Sequence, residues 1–193
     1  MSKKLMYGKA CNSKGEYPAY ANGKNLMMYD VWLNMIKRCY RKNTQKKQPT
    51  YADCTVDDRW LDYQDFARWY DNHPNKNDNY RLDKDILFSG NKVYSPDTCC
   101  LVPMEINQVF LDSAAARGDL PQGVNWHKHT GKYSVRVGVD GRRRSLGYYD
   151  CPNKAYQVYK QAKEANVKRM ALEWKDRIAD DVFQALMNWQ LTE

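Results

Sequence analysis

The stretch that decides the fold spans residues 123–150 and reads GVNWHKHTGKYSVRVGVDGRRRSLGYYD. Asp140-Gly141 is the strongest hairpin signal in the chain, and Thr130-Gly131 marks a second turn. Because alternate residues of a strand point to opposite faces, the segment between the turns predicts an apolar face and a polar face. The apolar face comprises Tyr133, Val135, Val137 and Val139. The polar face comprises Lys132, Ser134, Arg136 and Gly138.

A helix is expected to follow these strands. Cys151-Pro152 is a typical helix start, and Ala155, Tyr159 and Ala162 recur at helical spacing. This helix can cover the apolar face of the sheet, which leaves the polar face to solvent or to a ligand. The three strands are predicted at 123–127, 132–139 and 142–149.

The positive charge of the chain is concentrated in this region. The whole chain has a net charge of +8, and the window 121–169, with 11 basic and 3 acidic side chains, has a net charge of +8 by itself. So dense a positive field favours a polyanionic partner, through phosphate contacts and counterion release. The window is therefore predicted to bind nucleic acid, which is duplex DNA or, as an alternative, RNA.

Five spaced sub-motifs support the same prediction. They are Gly123-Val124, Gly131-Lys132-Tyr133, Val135-Arg136-Val137, Leu146-Gly147-Tyr148-Tyr149-Asp150 and the helix residues Ala155, Tyr159 and Ala162. Together they resemble the Apetala-type (ethylene-response-factor-like) DNA-binding domain. The resemblance implies a three-stranded sheet that enters the major groove and a helix that packs behind it. It also implies a DNA-facing set of six residues: Trp126, Lys128, Lys132, Arg136, Arg142 and Arg144.

Two amphipathic helices are predicted in the first half of the chain. One spans about 30–41 after Asp30, and the other begins at Asp62 and ends near His73-Pro74. The polar residues between them, 42–48, are predicted to form a loop. The aromatic side chains of this region are expected to be core: Trp32, Trp60, Tyr63, Trp69 and Tyr70.

A possible metal site follows these helices. Residues 81–88 and 93–102 are predicted to be strands on either side of a turn, and Pro103 is expected to open a helix that runs to about residue 111. Asp83 and Asp85, two residues apart, lie on the same side of the first strand, and Asn107 lies on the helix. Carboxylates and a helix residue can hold a divalent metal that assists attack on phosphorus.

This strand, turn, strand and helix, with Leu82-Asp83-Lys84-Asp85-Ile86 ahead of Gly90-Asn91, resemble the HNH, or ββα-metal, endonuclease motif. Phage-encoded HNH proteins that resemble this chain pair the motif with an Apetala-type module. The resemblance implies phosphodiester hydrolysis in DNA, assisted by magnesium or manganese. It implies a catalytic set of Asp83, Lys84, Asp85 and Asn107, in which Asp83, Asp85 and Asn107 hold the metal.

Two positions depart from this motif. By spacing, Lys84 stands where the family has its general-base His, and Thr98 stands where it has an Asn on the second strand. The ordinary pKa of lysine, about 10.4, makes it a poor base at neutral pH. Two alternatives follow. Either the motif binds a metal and cleaves slowly, with Asp85, Lys84 or His73 as the base, or it survives only as a scaffold in which the two carboxylates are solvated or paired with Arg81 and Lys84.

The remaining sequence places few constraints on function. The six cysteines form no C-x-x-C pair, which argues against a zinc ribbon. No apolar leader and no apolar run of about 18 residues occurs, so a cytoplasmic protein is expected, in the host cell if the chain is phage-encoded. The acidic tail carries an apolar stripe that includes Trp174, Val182 and Leu186 and predicts a capping or dimerising helix.

The sequence thus predicts an α+β protein in four parts. These are an HNH-like region with N-terminal helices (1–112), a linker (113–122), an Apetala-type domain (123–169) and a helical tail (170–193). The expected function is that of a homing-type, metal-dependent DNA endonuclease whose basic sheet binds double-stranded DNA. The alternatives are a catalytically inactive DNA-binding protein, such as a regulator or counter-defence factor, and an RNA-binding adaptor. No small-molecule cofactor and no membrane partner is expected.

Overall fold

The structure, a computed structural model, describes residues 5–77, 79–110 and 118–192. It confirms the α+β class, with helices and short sheets in both halves of the chain. The chain divides into two compact units, Met1–Pro103 and Met104–Glu193. In the described residues, no helix combines the length and apolar character needed to cross a membrane.

The first unit combines three α-helices with three two-stranded sheets in its described part. The helices are α1 (Met27–Tyr40), α2 (Lys42–Lys47) and α3 (Tyr63–Asn72). The strands are β1 (Tyr20–Ala21), β2 (Lys24–Asn25), β3 (Thr55–Val56), β4 (Tyr80–Asp83), β5 (Val93–Tyr94) and β6 (Cys100–Pro103). Strand β1 pairs with β2, β3 pairs with β5 in parallel, and β4 pairs with β6 in antiparallel orientation.

The two predicted N-terminal helices form, and their aromatic faces make the core of the first unit. Helix α1 buries Trp32, whose indole Nε1 donates a hydrogen bond to the carbonyl of Trp60 at 2.8 Å. Helix α3 starts as predicted at Asp62, whose carboxylate accepts a bond from the amide of Gln64. Four of the five predicted aromatic core residues are buried, and Trp69 packs against them while partly exposed.

Several predictions in this unit are wrong. Helix α1 begins at Met27 and not after Asp30, which lies in its first turn, and Pro103 ends β6 instead of opening a helix. Residues 42–47 form α2 and not a loop, and the side-chain amide of Gln45 donates a hydrogen bond to the carbonyl of Cys39. Strand β4 ends at Asp83 and not at residue 88, because the Asp83 carboxylate accepts the next amides and turns the chain. The single strand expected at 93–102 is two strands, β5 and β6, since a turn stabilised by Thr98 lies between them.

The second unit contains a three-stranded sheet that packs on one long helix. The elements are α4 (Met104–Val109), β7 (Val124–His127), β8 (Lys132–Val139), β9 (Arg142–Tyr149), α5 (Pro152–Trp174) and α6 (Asp180–Met187). The strand order is β7-β8-β9, antiparallel throughout. Asp140 (φ 51°) and Gly141 (φ 71°) both have positive φ, as a two-residue type I′ hairpin turn requires.

Helix α5 covers the apolar face of this sheet. Val124, Val135 and Val137 are buried against Ala155 and Tyr159 of the helix. Directly before β7, Gly123 has φ +77°, and a Cβ there would lie 2.1 Å from the Tyr159 ring. Only glycine therefore fits between the start of the sheet and the helix.

The C-terminal tail belongs to the same packed unit. The predicted tail begins at residue 170, but helix α5 continues to Trp174. A short non-α segment then separates it from α6. The predicted apolar stripe is largely used internally, because Val182 and Leu186 are buried and the amide of Leu191 donates to Glu164. Residues 113–117 of the predicted linker, and residue 111 at the predicted helix end, lie outside the described residues.

Candidate nucleic-acid interface and candidate metal site

The side of the β7–β9 sheet that faces away from α5, called here the outer face, is polar and largely open to solvent. In an antiparallel pair, residues directly opposite each other point to the same side. The register places Ser134 opposite Tyr148, Arg136 opposite Ser145 and Gly138 opposite Arg143. With the β7 residues on this side, the outer face comprises Asn125, His127, Lys132, Ser134, Arg136, Gly138, Arg143, Ser145 and Tyr148.

A β-bulge sets the composition of this face. Val135 lies opposite Gly147 while Arg136 lies opposite Ser145, so Leu146 is an extra residue in β9. The bulge reverses the alternation beyond it. As a result Leu146 and Tyr149 pack against the core, while Tyr148 points to the outer face and is 46% exposed.

Three basic side chains share the outer face. Lys132 makes one exposed ion pair with Asp150 at 3.1 Å. Arg136 and Arg143 are exposed, and among the described residues no carboxylate lies within ion-pair distance of either. They lie on neighbouring strands, and Gly138 opposite Arg143 adds no side chain between them. Both guanidinium groups are therefore available to an external acceptor.

Two aromatic rings lie beside these charges. The ring of His127 is 5.0 Å from that of Tyr148, at an interplanar angle of 60°. Its Nδ1 forms a 2.9 Å hydrogen bond with the hydroxyl of Thr130, which holds the imidazole in place. The outer face thus combines guanidinium donors with a flat, partly exposed aromatic surface.

The hairpin that carries the arginines is fastened to α5. Asp140, at the tip of the hairpin, forms an ion pair with Arg169 at 2.6 Å. The side-chain amide of Asn166 donates to the carbonyl of Gly138 at 3.3 Å. Arg169 also donates to the side chain of Asn166, so the two helix residues act together. These bonds fix the orientation of the outer face relative to the helix behind it.

The structure divides the six predicted DNA-facing residues into two groups. Lys132 and Arg136 lie on the outer face as expected, and Lys128 is exposed in the turn between β7 and β8. Trp126, Arg142 and Arg144 lie opposite Tyr133, Val139 and Val137, which places them on the helix side of the sheet, where they are nevertheless exposed.

Sequence reasoning missed Arg143 and Tyr148. The signal for Arg143 was present, because a two-residue turn at Asp140-Gly141 pairs Val139 with Arg142 and so puts Arg142 and Arg144 on the valine side. The signal for Tyr148 was absent, because nothing in the sequence announces an extra residue at Leu146.

The predicted catalytic Lys84 is buried in an internal ion pair. It is 6% exposed, and its Nζ lies 2.6 Å and 2.7 Å from the two carboxylate oxygens of Asp85 and donates to the carbonyl of Asn91 at 2.6 Å. An ammonium group thus already contacts both oxygens of a predicted metal ligand. The side-chain amide of Asn91 donates a hydrogen bond to the carbonyl of Lys84 at 2.9 Å. This bond connects the two ends of the loop between β4 and β5.

The second predicted ligand, Asp83, has a structural role in the same loop. Its Oδ1 accepts bonds from the amides of Asp85 at 2.7 Å and Ile86 at 2.8 Å. Burial raises the pKa of the Asp83 carboxyl, although these two bonds oppose the shift. One oxygen of this carboxyl is thus engaged in holding the turn that ends β4.

The other residues considered for this site have local partners or belong to the other unit. Asn107 lies on α4 in the second unit, whereas Asp83 and Asp85 belong to the first. Thr98 donates to the carbonyl of Val93, and the Nδ1 of His73 accepts from the amide of Asn75. Among described residues, no three His, Cys, Asp or Glu side chains are grouped closely enough to hold a metal ion. The cation that contacts the Asp85 carboxylate in this loop is the ammonium group of Lys84.

Comparison of the chain with family models, curated proteins and solved structures found no match.

Proposed function

We propose that this protein binds double-stranded DNA through the outer face of the β7–β9 sheet. The observation that carries the proposal is the presence of Arg136 and Arg143, at diagonal positions on neighbouring strands, on one exposed face whose opposite face is packed on α5. A two-stranded or three-stranded ribbon can enter the major groove, where arginine donates to O6 and N7 of guanine. Lys132, Lys128 and the helix-side arginines then contact phosphates at the rim.

The binding experiment compares two double variants of the same strand pair. Arg136→Ala with Arg143→Ala removes two charges from the outer face, and Arg142→Ala with Arg144→Ala removes two charges from the helix side. Each base-reading arginine contributes about 1–3 kcal/mol, so the first variant should bind a labelled duplex at least about tenfold more weakly. The second should lose less affinity, in line with phosphate contacts alone.

Fluorescence anisotropy over a salt series measures both losses. Equal losses in the two variants would mean that only the total charge matters, which would overturn the assignment of the outer face. Competition with duplex RNA of the same sequence tests the nucleic-acid class, because an A-form major groove is too narrow for the sheet. Stronger competition by RNA than by unlabelled DNA would favour the RNA-binding alternative.

For the HNH-like segment we propose a scaffolding role without cleavage. Support comes from the bonds of Lys84 to both oxygens of Asp85 and from the use of Asp83 to turn the chain. In these contacts Lys84 serves as the partner of the half-exposed Asp85, and Asp83 serves as an acceptor for the turn. The protein is thus proposed to act as a DNA-binding factor, and the endonuclease stays the less supported of the two functions.

A further inference from the structure

A second basic surface lies on the first unit, far along the sequence from the β7–β9 sheet. Residues 31–52 contain six basic and no acidic side chains. Five of these basic residues, called here the α2 patch, lie at the end of α1 and along α2: Lys37, Arg41, Lys42, Lys46 and Lys47. Four of the five are exposed, and Lys37 is partly exposed.

In the part of the chain that the structure describes, the α2 patch has no counter-charge, whereas several other cations of its unit are paired. Lys9, Lys14 and Lys24 also have no ion pair among the described residues, but they are not grouped on one element. Arg59 pairs with Asp57 and Asp97, Arg68 pairs with Asp65, and Lys76 pairs with Asp71. Within the described residues, no carboxylate lies within ion-pair distance of any member of the patch. Like charges crowded on a short segment repel one another, so the patch gains most from an anionic partner.

The patch is also held in a fixed position. Gln45 on α2 donates to the carbonyl of Cys39 at 2.5 Å and to that of Ala52 at 3.5 Å, which ties the helix to the segments on both sides. Arg38 lies 5.4 Å from the centre of the Tyr51 ring. Lys92 donates to the carbonyl of Thr50 at 3.3 Å and so adds another exposed ammonium next to this region. Such bracing lowers the entropy lost when the charges meet a partner.

We propose that the α2 patch is a second DNA-binding surface, which contacts the phosphate backbone without reading sequence. The inference rests on the proposed function, because the partner is the same duplex that the outer face binds. Its chemistry fits that partner: lysine is a flexible point charge suited to phosphate, whereas the outer face carries the planar guanidinium groups suited to bases. The proposal assigns a phosphate-contacting surface to the first unit and a base-reading surface to the second.

The test compares two triple variants of the full chain with equal charge change. Lys42→Gln, Lys46→Gln and Lys47→Gln remove charge from the patch. Lys9→Gln, Lys14→Gln and Lys24→Gln remove the same charge from exposed positions elsewhere on the first unit. Equilibrium binding to a fluorescent duplex is measured between about 50 and 200 mM salt. Thermal melting checks that both variants fold like the wild type.

Each lost phosphate contact should lower the slope of log affinity against log salt by about 0.9, so the patch variant should lose up to about 2.7 units of slope. Its affinity at about 0.15 M salt should fall at least about tenfold, and the control variant should change by less than about threefold. Equal behaviour of the two triple variants would overturn the inference.

The outer-face variant, Arg136→Ala with Arg143→Ala, separates this inference from the proposed function. Weak binding by that variant with no difference between the triple variants would refute the α2 patch and leave the outer face intact. Weak binding by the patch variant alone would support the patch and refute the outer face. Absence of duplex binding by the wild-type protein would refute both.

Discussion

The β4–β5 loop and the β8–β9 hairpin both concentrate charge in a few residues, but they use it in opposite ways. In the loop, Lys84 contacts both oxygens of Asp85, and Asp83 is bonded to two backbone amides. In the hairpin, Arg136 and Arg143 stand exposed on one face, and the only carboxylate of the turn, Asp140, is engaged by α5. The availability of a charge therefore depends on the partners that the fold supplies, which residue spacing does not reveal.

The largest effect should come from breaking the internal pair of the loop. Lys84→Met keeps the buried stem but leaves the Asn91 carbonyl without its donor, while the half-exposed Asp85 stays hydrated. We expect a loss of about 1–3 kcal/mol in the free energy of unfolding, since an unsatisfied polar group carries its desolvation cost. Denaturant unfolding measures it, with Lys92→Met, an exposed lysine of the same loop, as a control that should change stability by less than about 0.5 kcal/mol.

The same preparations test the scaffolding role. Plasmid DNA incubated with magnesium or manganese should remain uncut by the wild-type protein. Metal-dependent cutting that disappears in an Asp83→Ala variant would contradict the account of this loop and favour the endonuclease.

A smaller effect is expected when the charge of Asp83 is removed and its acceptor kept. Because the pKa of this carboxyl is raised in the folded protein, its ionised form destabilises the fold. This destabilisation reaches its maximum when the pH is above the pKa of Asp83 in the folded protein. It disappears as the pH falls towards the pKa of aspartate in the unfolded chain, about 3.9.

Asp83→Asn should therefore be as stable as the wild type at pH 7, or more stable by less than about 1 kcal/mol. Any advantage should vanish as the pH is lowered. Thermal melting of both proteins across the acidic range provides the measurement. A variant clearly less stable than the wild type at pH 7 would indicate that the carboxylate has a partner that it needs in its charged form.

The sequence predicted the class and the main elements because their signals are local. Asp62 predicted the start of α3, and Asp140-Gly141 predicted the hairpin. The alternating valines indicated which face of β8 packs on the helix. It failed where the outcome depends on tertiary contacts. The segment 42–47 is a helix whose Gln45 side chain donates to the carbonyls of Cys39 and Ala52. The expected strand at 93–102 is divided by the turn at Thr98, because β5 pairs with β3 and β6 pairs with β4.

The candidate interface divides in the same way. The alternation of residues along β8 predicted that Lys132 and Arg136 lie on the outer face. The register of the hairpin places Arg143 on the same face. The exposure of Tyr148 on the outer face depends on the bulge at Leu146. The ion pair between Lys84 and Asp85 depends on the burial of Lys84. The α2 patch could not be predicted in this way, because most of its residues lie in a segment that the sequence predicts to be a polar loop and that forms helix α2.

The most direct test of the outer face is photocrosslinking from the two sides of strand β9. Benzoylphenylalanine is placed at Ser145, which lies on the outer face opposite Arg136, or at Arg144, which lies on the helix side opposite Val137. Each protein is irradiated with a duplex under saturating conditions and the covalent adduct is quantified. Position 145 should crosslink more strongly than position 144, which lies at the rim of the interface. Stronger crosslinking from position 144 would contradict the assignment of the outer face.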